Sequence, residues 1–287
     1  MKTVSIIGMG RVGGALARAL PSEKYCVEQL VYREAPPIGL ADAKAVASVE
    51  VSSIYSEIVF ITTRDSEIES VAEALKGKIG GGSTVFHTSG SRSSDILESL
   101  RPATIGSIHP LVSISDQALG PERFRGAFFC VEGDDEAVLT GRAIVDDLGG
   151  RPFTVDTERK TLYHAAAVTA CGHLVALFDA AVEMMTDAGL SDEQSKEVLL
   201  PLIASTVQNL REQTIAAALT GTFARADSET FTQHIASIDR YGNQDLLEIY
   251  LLLGERSLEL AAKQGVSEER IESLRTKVAI AKSKLKW

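Results

Sequence analysis

The chain has 287 residues, 45% hydrophobic and 24% charged, enough to bury one large core or two moderate ones, and two are expected. Its 29 basic and 39 acidic side chains leave a formal charge of −10, which argues against nucleic acid or an anionic membrane as the main partner. Cys26, Cys130 and Cys171 are far apart and odd in number, which suits a reducing cytoplasm and neither a disulfide framework nor a zinc site.

Thr3 to Ile7 reads as a buried strand starting too early to leave room for a signal peptide, so the expected location is cytoplasmic. The strand breaks into Gly8-Met9-Gly10-Arg11-Val12-Gly13, three glycines at G-x-G-x-x-G spacing ahead of a helix over Ala15 to Leu20. That context builds a pyrophosphate socket. Gly8 permits the tight turn, Gly10 removes a side chain where phosphate oxygens approach, and Gly13 lets helix and strand pack closely. The helix start adds free N–H groups and a positive dipole end. Cys26 to Tyr32 reads as the next strand, ending at the expected adenosine ribose. Tyr32 and Arg33 stand there, and Arg33 with Arg11 favours the 2′-phosphate of NADP(H) over NAD(H). Glu34 follows, an acid that could serve NAD(H) instead.

Strands are expected over Ile58–Thr62, Ser83–Thr88, Ile105–His109 and Ala127–Glu132, with helices over Ser66–Leu75 and Asp134–Leu148 and a last strand near Pro152–Val155. This alternation defines an α/β domain, a doubly wound Rossmann-type sheet over residues 1–155. Ligands lie beyond the carboxyl ends of such strands. Thr62, Thr63 and Arg64, followed by Asp65, would border the cofactor and substrate there, beside His87-Thr88-Ser89-Gly90-Ser91 and His109-Pro110-Leu111. Ser89, Gly90 and His109 are candidate substrate-binding residues, the hydroxyl suited to a carbonyl or carboxylate.

From Asp156 the pattern becomes all helical, with segments over Thr157–Ala188, Asp192–Glu212, Ser228–Ile238, Asn243–Gln264 and Glu268–Lys286. Ser191 with Gln194, and Ser228, read as helix starts. Residues 156–287 thus form an all-α substrate and dimerisation domain. The tract Ala165–Met185 carries His173, Asp179 and Glu183, so it reads as a buried helix and not a membrane span. It is apolar around most of its circumference and needs cover on all sides, which a second copy would supply in a homodimer. The basic stretch from Arg275 to Trp287 reads as cations at the negative end of a last helix, in preference to an RNA-binding tail.

Lys160 and His164 lie one turn apart on one helix face and are the catalytic candidates, Lys160 as proton donor or acceptor and His164 as its orienter. In the first turn the helix dipole disfavours an ammonium, consistent with a lowered lysine pKa. Thr222 and Arg225, on a glycine turn between helices, are candidates for holding a substrate carboxylate. The five histidines show no zinc-binding spacing, and no metal is assigned.

Taken together, the glycine fingerprint, His87-Thr-Ser-Gly90, Gly106-Ser-Ile-His-Pro-Leu111, Lys160-x-x-Tyr-His-Ala-Ala-Ala167 and Leu219-Thr-Gly-Thr-Phe-Ala-Arg225 span nearly the whole chain. The chain resembles Rossmann-like oxidoreductases with a C-terminal helical domain of unknown function. These are relatives of pyrroline-5-carboxylate reductase, ketopantoate reductase and the β-hydroxyacid dehydrogenases. The resemblance implies an NADP(H)-type Rossmann domain, an all-helical second domain and dimerisation through it. In the β-hydroxyacid dehydrogenases a lysine and, four residues later, an asparagine act at the reacting carbon. Lys160 matches that lysine, and His164 stands where the asparagine would be. The expected activity is hydride transfer between NADP(H) and a small ketone, imine or hydroxy acid. The alternative is a non-catalytic NADP(H) sensor.

Overall fold

The computed structural model describes residues 1–33, 43–47, 51–114 and 120–285, so Glu34 and Lys286 lie outside the described residues. The chain divides into two compact units, Met1–Cys171 and Gly172–Trp287.

Among the described residues the first unit is built on eight strands: β1 (Lys2–Ile7), β2 (Tyr25–Tyr32), β3 (Lys44–Ala47), β4 (Ile58–Ile61), β5 (Thr84–His87), β6 (Thr104–Leu111), β7 (Phe128–Gly133) and β8 (Arg151–Phe153). They lie in the order β3-β2-β1-β4-β5-β6-β7-β8, all parallel to their neighbours except at the antiparallel β6–β7 step. The central strands are apolar on both faces, as a sheet covered on two sides requires. Ile6, Phe60, Phe86 and Ile108 pack on one face with α1 (Arg11–Ala19) and, further along the sheet, with residues of α3 (Gly120–Phe124) and α4 (Asp135–Asp147). Ile7, Val59, Ile61, Val85 and Ile105 pack on the other with α2 (Ile68–Leu75) and the 3-10 segment Ser94–Leu100. Adjacent residues such as Ile6 and Ile7 therefore serve opposite cores, the period-two alternation of a strand. β3 had no sequence signal: four residues, Lys-Ala-Val-Ala, are too short and too rich in alanine to stand out.

Beyond a 3-10 turn at Thr157–Arg159 runs α5 (Lys160–Asp187), 28 residues long, whose start belongs to the first unit. The compact unit therefore extends past residue 155 because α5 carries side chains that bond back to the sheet. The second unit continues with α6 (Asp192–Glu212), α7 (Gly221–Ala224), α8 (Ser228–Tyr241), α9 (Gln244–Lys263) and α10 (Glu268–Lys282). Ser191 and Gln194 form the reciprocal cap expected at the start of α6. At α8 the cap is Asp227, accepting from Thr230 N at 3.1 Å, one residue before the expected Ser228. The core of this unit is Phe231, Leu251, Leu258, Leu274 and Val278 from α8, α9 and α10. Gly254 lets α9 pass against Phe223 of α7, since a Cβ there would meet the ring at 2.5 Å. α5 is apolar along most of its length, yet Leu174, Val175 and Leu177 are exposed, as are Val198, Leu200 and Leu202 of α6. α5 is long and apolar enough to cross a membrane by length and composition.

Candidate active site

The carboxyl edge of the sheet gathers two groups of residues, both within the first unit. The first is the glycine turn between β1 and α1. Gly8 adopts φ +99°, and a Cβ there would lie 2.9 Å from Thr63 N, so the chain can turn only with glycine. A Cβ on Gly13 would strike Gly8 O and approach Thr62 Oγ1 to 2.5 Å, the close helix-to-strand packing that the motif calls for. Gly10 is exposed, and among the described residues nothing lies within 4 Å of where its Cβ would be. Its bare face opens on space for a ligand. Thr62 donates its hydroxyl to Gly8 O and stands 3.2 Å from Ile7 O, pinning the turn to β4.

A cleft of about 540 Å³ extends from this turn. Gly8, Met9, Gly10 and Tyr32 form its walls on the β1 and β2 side, with Arg33 at the end of β2. Thr62, Thr63 and Arg64 come from the β4 loop, and Glu67, Ser70 and Val71 from the following turn and α2. Thr63 Oγ1 is buried there without a hydrogen-bond partner. Arg11 is exposed on the first turn of α1, while Val12 and Gly13 sit behind the glycine turn as packing residues. Arg33 forms an ion pair with Glu67 at 2.6 Å. A turn open at Gly10, an orphaned hydroxyl and a guanidinium at the far end fit a dinucleotide with phosphate at the ribose.

The second group lies at the ends of β5 and β6 and on the first turns of α5. His87 is fully buried and organises the loop after β5: Ser89 N donates to its Nδ1 at 3.1 Å, and its Nε2 lies 3.1 Å from Ser93 O. With Nδ1 accepting, the ring proton belongs on Nε2. Burial pushes its pKa down to about 3, so it is a neutral fixture of the loop. Ser89 donates to Asp65 Oδ2 at 2.7 Å and accepts from Ser91 N at 3.2 Å and Arg92 N at 3.1 Å. One donated and two accepted bonds exhaust a hydroxyl. The Ser89 hydroxyl, expected to bind substrate, is bonded here within the loop that it shapes.

His109 and His164 meet over Gly90. Their ring centroids are 5.6 Å apart and edge to face, and His109 Nδ1 lies 2.8 Å from Tyr163 OH. A Cβ on Gly90 would sit 2.5 Å from His164 Nδ1 and 2.7 Å from His109 Nε2, so the glycine is what allows the two rings to converge. His164 Nδ1 is buried and has no hydrogen-bond partner. Burial, then the nearby His164 and Lys160, lower the His109 pKa to about 4. Burial raises that of the Tyr163 phenol.

Lys160 takes a different place from the one expected. Its side chain is 1% exposed, and Nζ donates to Ser107 Oγ at 2.6 Å and to Glu132 Oε1 at 2.7 Å. Glu132 also accepts from Ser94 N at 3.0 Å and from Ser94 Oγ at 2.8 Å. Burial, and not the helix dipole invoked from the first-turn position, lowers the Lys160 pKa, and Glu132 opposes the shift. The ammonium is committed inside the fold instead of facing a ligand. Glu132, Tyr163 and Glu67 carried no role in the sequence reading, whereas Asp65 was among the polar residues expected at the strand ends. An acid closing the apolar run Phe128 to Val131, opposite a helix-borne lysine, was the available signal for Glu132. Thr222 and Arg225 belong to the second unit, on α7 and at its C-terminal cap, where Thr222 O accepts from Asp227 N at 3.0 Å and Arg225 is exposed. Among the described residues no group of three or more His, Cys, Asp or Glu side chains is placed to hold a metal.

Comparison with known proteins defines the class. Residues 1–111 match the Rossmann-like domain and residues 127–257 match a domain of unknown function, DUF2520. The chain joins a Rossmann-like domain to a DUF2520 domain, the pairing that the sequence motifs indicated. Protein TM1727 from Thermotoga maritima superposes with a TM-score of 0.72 at 25% identity, over 91% of this chain and 99% of that one. BF3122 from Bacteroides fragilis, provisionally described as an NADP oxidoreductase, gives 0.72 at 21% identity over 90% and 98%. Pyrroline carboxylate reductase from Plasmodium falciparum, solved with NADP bound, gives 0.59 at 14% identity over 91% and 98%. No curated protein matches the chain.

Proposed function

We propose that this protein is an NADP(H)-dependent oxidoreductase acting on a small ketone, imine or hydroxy acid. The carrying observation is the shared edge: the Gly8–Gly13 turn follows β1 and the Gly90 loop follows β5, with β4 between them, and His109 stands near the carboxyl end of β6 along the same edge, where His164 of α5 meets it. The likeness to the NADP oxidoreductase and the NADP-bound reductase supports the same reading. In it the glycine turn and the start of α1 hold the pyrophosphate, and Arg33 meets the 2′-phosphate. The bound nicotinamide supplies or accepts the hydride.

The chain's own residues manage the proton. Among the groups that meet over Gly90, His164 Nδ1 has an unmet hydrogen bond, which supports His164 as the proton donor or acceptor. His109 stays neutral near pH 7 and aligns with the Tyr163 hydroxyl beside it. Lys160 is a positioning residue. Its ion pair with Glu132 fixes the first turn of α5, which carries Tyr163 and His164 to His109. The roles expected of Lys160 and His164 are thus exchanged. A second copy of the chain is the partner in this reading, because apolar side chains of α5 and α6 lie uncovered in a single copy.

The test is reduced-nicotinamide absorbance with a panel of keto acids, cyclic imines and hydroxy acids, using wild type and His164→Ala. Turnover of a panel member that falls about a hundredfold or more in His164→Ala, with NADPH affinity kept, is the expected result. Tight NADPH binding with no turnover of any panel member would favour a sensor and defeat the catalytic reading.

A further inference from the structure

The cofactor cleft contains an acid that the glycine fingerprint does not account for. Glu67 reaches the cleft from the turn before α2, while Arg33 reaches it from the end of β2, and Arg33 Nη1 stands 2.6 Å from Glu67 Oε1. Both remain partly open to solvent, at 59% and 29% exposure, so a ligand entering the cleft meets the pair directly. The position of Glu67 is fixed by its backbone: Glu67 N donates to Arg64 O at 2.8 Å, and Glu67 O accepts from Ser70 Oγ at 2.9 Å.

These two groups prefer different coenzymes. A guanidinium pairs with a 2′-phosphate through two parallel hydrogen bonds. A carboxylate accepts from the 2′-hydroxyl of an unphosphorylated ribose and repels a phosphate. When NADP(H) enters, its phosphate competes with Glu67 for Arg33 and faces the displaced carboxylate. When NAD(H) enters, its hydroxyl can donate to Glu67 while the ion pair stays closed.

We infer that Glu67 is a coenzyme-discriminating residue of this cleft, the acid that accepts the ribose hydroxyl of NAD(H) and holds back the affinity for NADP(H). This rests on the dinucleotide reading above. It predicts a protein that binds both coenzymes with a modest preference, set jointly by Arg33 and Glu67.

The experiment is calorimetric titration of the full-length protein and its Glu67→Gln and Glu67→Asp variants with NADPH and with NADH. Thermal melting of each variant verifies folding. In Glu67→Gln, NADPH should bind about tenfold tighter and NADH several-fold weaker, so that the ratio of the two constants moves toward NADPH. Glu67→Asp keeps the charge and should shift the ratio much less. A ratio unchanged in a folded Glu67→Gln variant would overturn the inference and leave the dinucleotide reading intact. So would weaker NADPH binding in that variant, which would mean that Glu67 merely orients Arg33. Failure of both coenzymes to bind wild type would instead remove the dinucleotide reading itself.

Discussion

Lys160 and Glu132 form an ion pair at 2.7 Å with side-chain exposures of 1% and 5%, joining the start of α5 to β7 inside the first unit. Separating such a pair by removing one partner strands a charge in a medium that solvates it poorly. Loss of one partner of a buried pair costs about 3–5 kcal/mol. Lys160→Met should lower the unfolding free energy by about that amount, read from urea titration. Lys160→Met combined with Glu132→Gln should be more stable than the single variant, because the unpaired carboxylate is gone. A Lys160→Met variant as stable as wild type would show that the pair holds little of the fold. A catalytic lysine would lose turnover in both variants alike, whereas a positioning lysine should show turnover following the recovery of stability.

Much of this arrangement was legible in the sequence, and the reason is local. The turn at Gly8–Gly13 is set by backbone sterics, which residue spacing reports directly: Gly8 needs its positive φ and Gly13 its missing Cβ. The capping of α6 by Ser191 and Gln194 is likewise a four-residue event. The partners of Lys160 were not legible because Ser107 and Glu132 are 53 and 28 residues away in sequence. Helix periodicity places Lys160 and His164 on one face, yet cannot say which of them meets an acid from β7. Glu67 escaped for the same reason. Its link to Arg33 spans 34 residues and depends on β1 lying between β2 and β4.

Acid should weaken the fold through two histidines. Burial lowers His87 to about 3 and His109 to about 4, below the ordinary value near 6.5. Between roughly pH 6.5 and pH 4 the unfolded chain binds more protons at these positions than the folded one, so stability falls as pH falls. Each group contributes a slope of about 1.4 kcal/mol per pH unit within its window. Denaturant midpoints measured from pH 7 down to pH 4.5 should decline steadily, and the decline should be shallower in His87→Asn. A flat profile in the wild-type protein would mean that these rings are not held neutral.

The two unlike glycines of the turn separate binding from folding. Gly10 has open space where a Cβ would project and lies at φ −76°, so Gly10→Ala should fold with an unchanged melting temperature. Its methyl group would stand where phosphate oxygens must approach, and NADPH affinity should drop about tenfold or more. A Cβ on Gly13 would meet Gly8 O and Thr62 Oγ1, so Gly13→Ala should cost about 1–3 kcal/mol of stability through overpacking. Full NADPH affinity in Gly10→Ala would place the pyrophosphate elsewhere.

Uncovered apolar side chains predict the oligomeric state. Val175 is 68% exposed on α5, and Leu200 and Leu202 are 56% and 61% exposed on α6. A second copy burying these faces would remove large apolar side chains from water at about 25 cal/mol per Å². Sedimentation equilibrium at micromolar concentration should give twice the 30.7 kDa chain mass. Val175→Glu or Leu202→Glu should shift the protein toward monomer. A wild-type monomer at that concentration would refute the dimer.

The convergence of His109 and His164 over Gly90 gives the sharpest handle on catalysis. An added methyl at Gly90 would lie 2.5 Å from one imidazole and 2.7 Å from the other, distances that force both rings to move. Misplacing reacting groups by about 1 Å costs on the order of a hundredfold in rate. Gly90→Ala should therefore lower turnover by about that factor while NADPH affinity is kept, because the glycine turn at Gly8 is untouched. Gly82→Ala is the control, since nothing lies within 4 Å of its added methyl, and it should behave as wild type. Wild-type turnover in a folded Gly90→Ala variant would show that the two rings need not meet for the reaction, and the proton would have to come from another group.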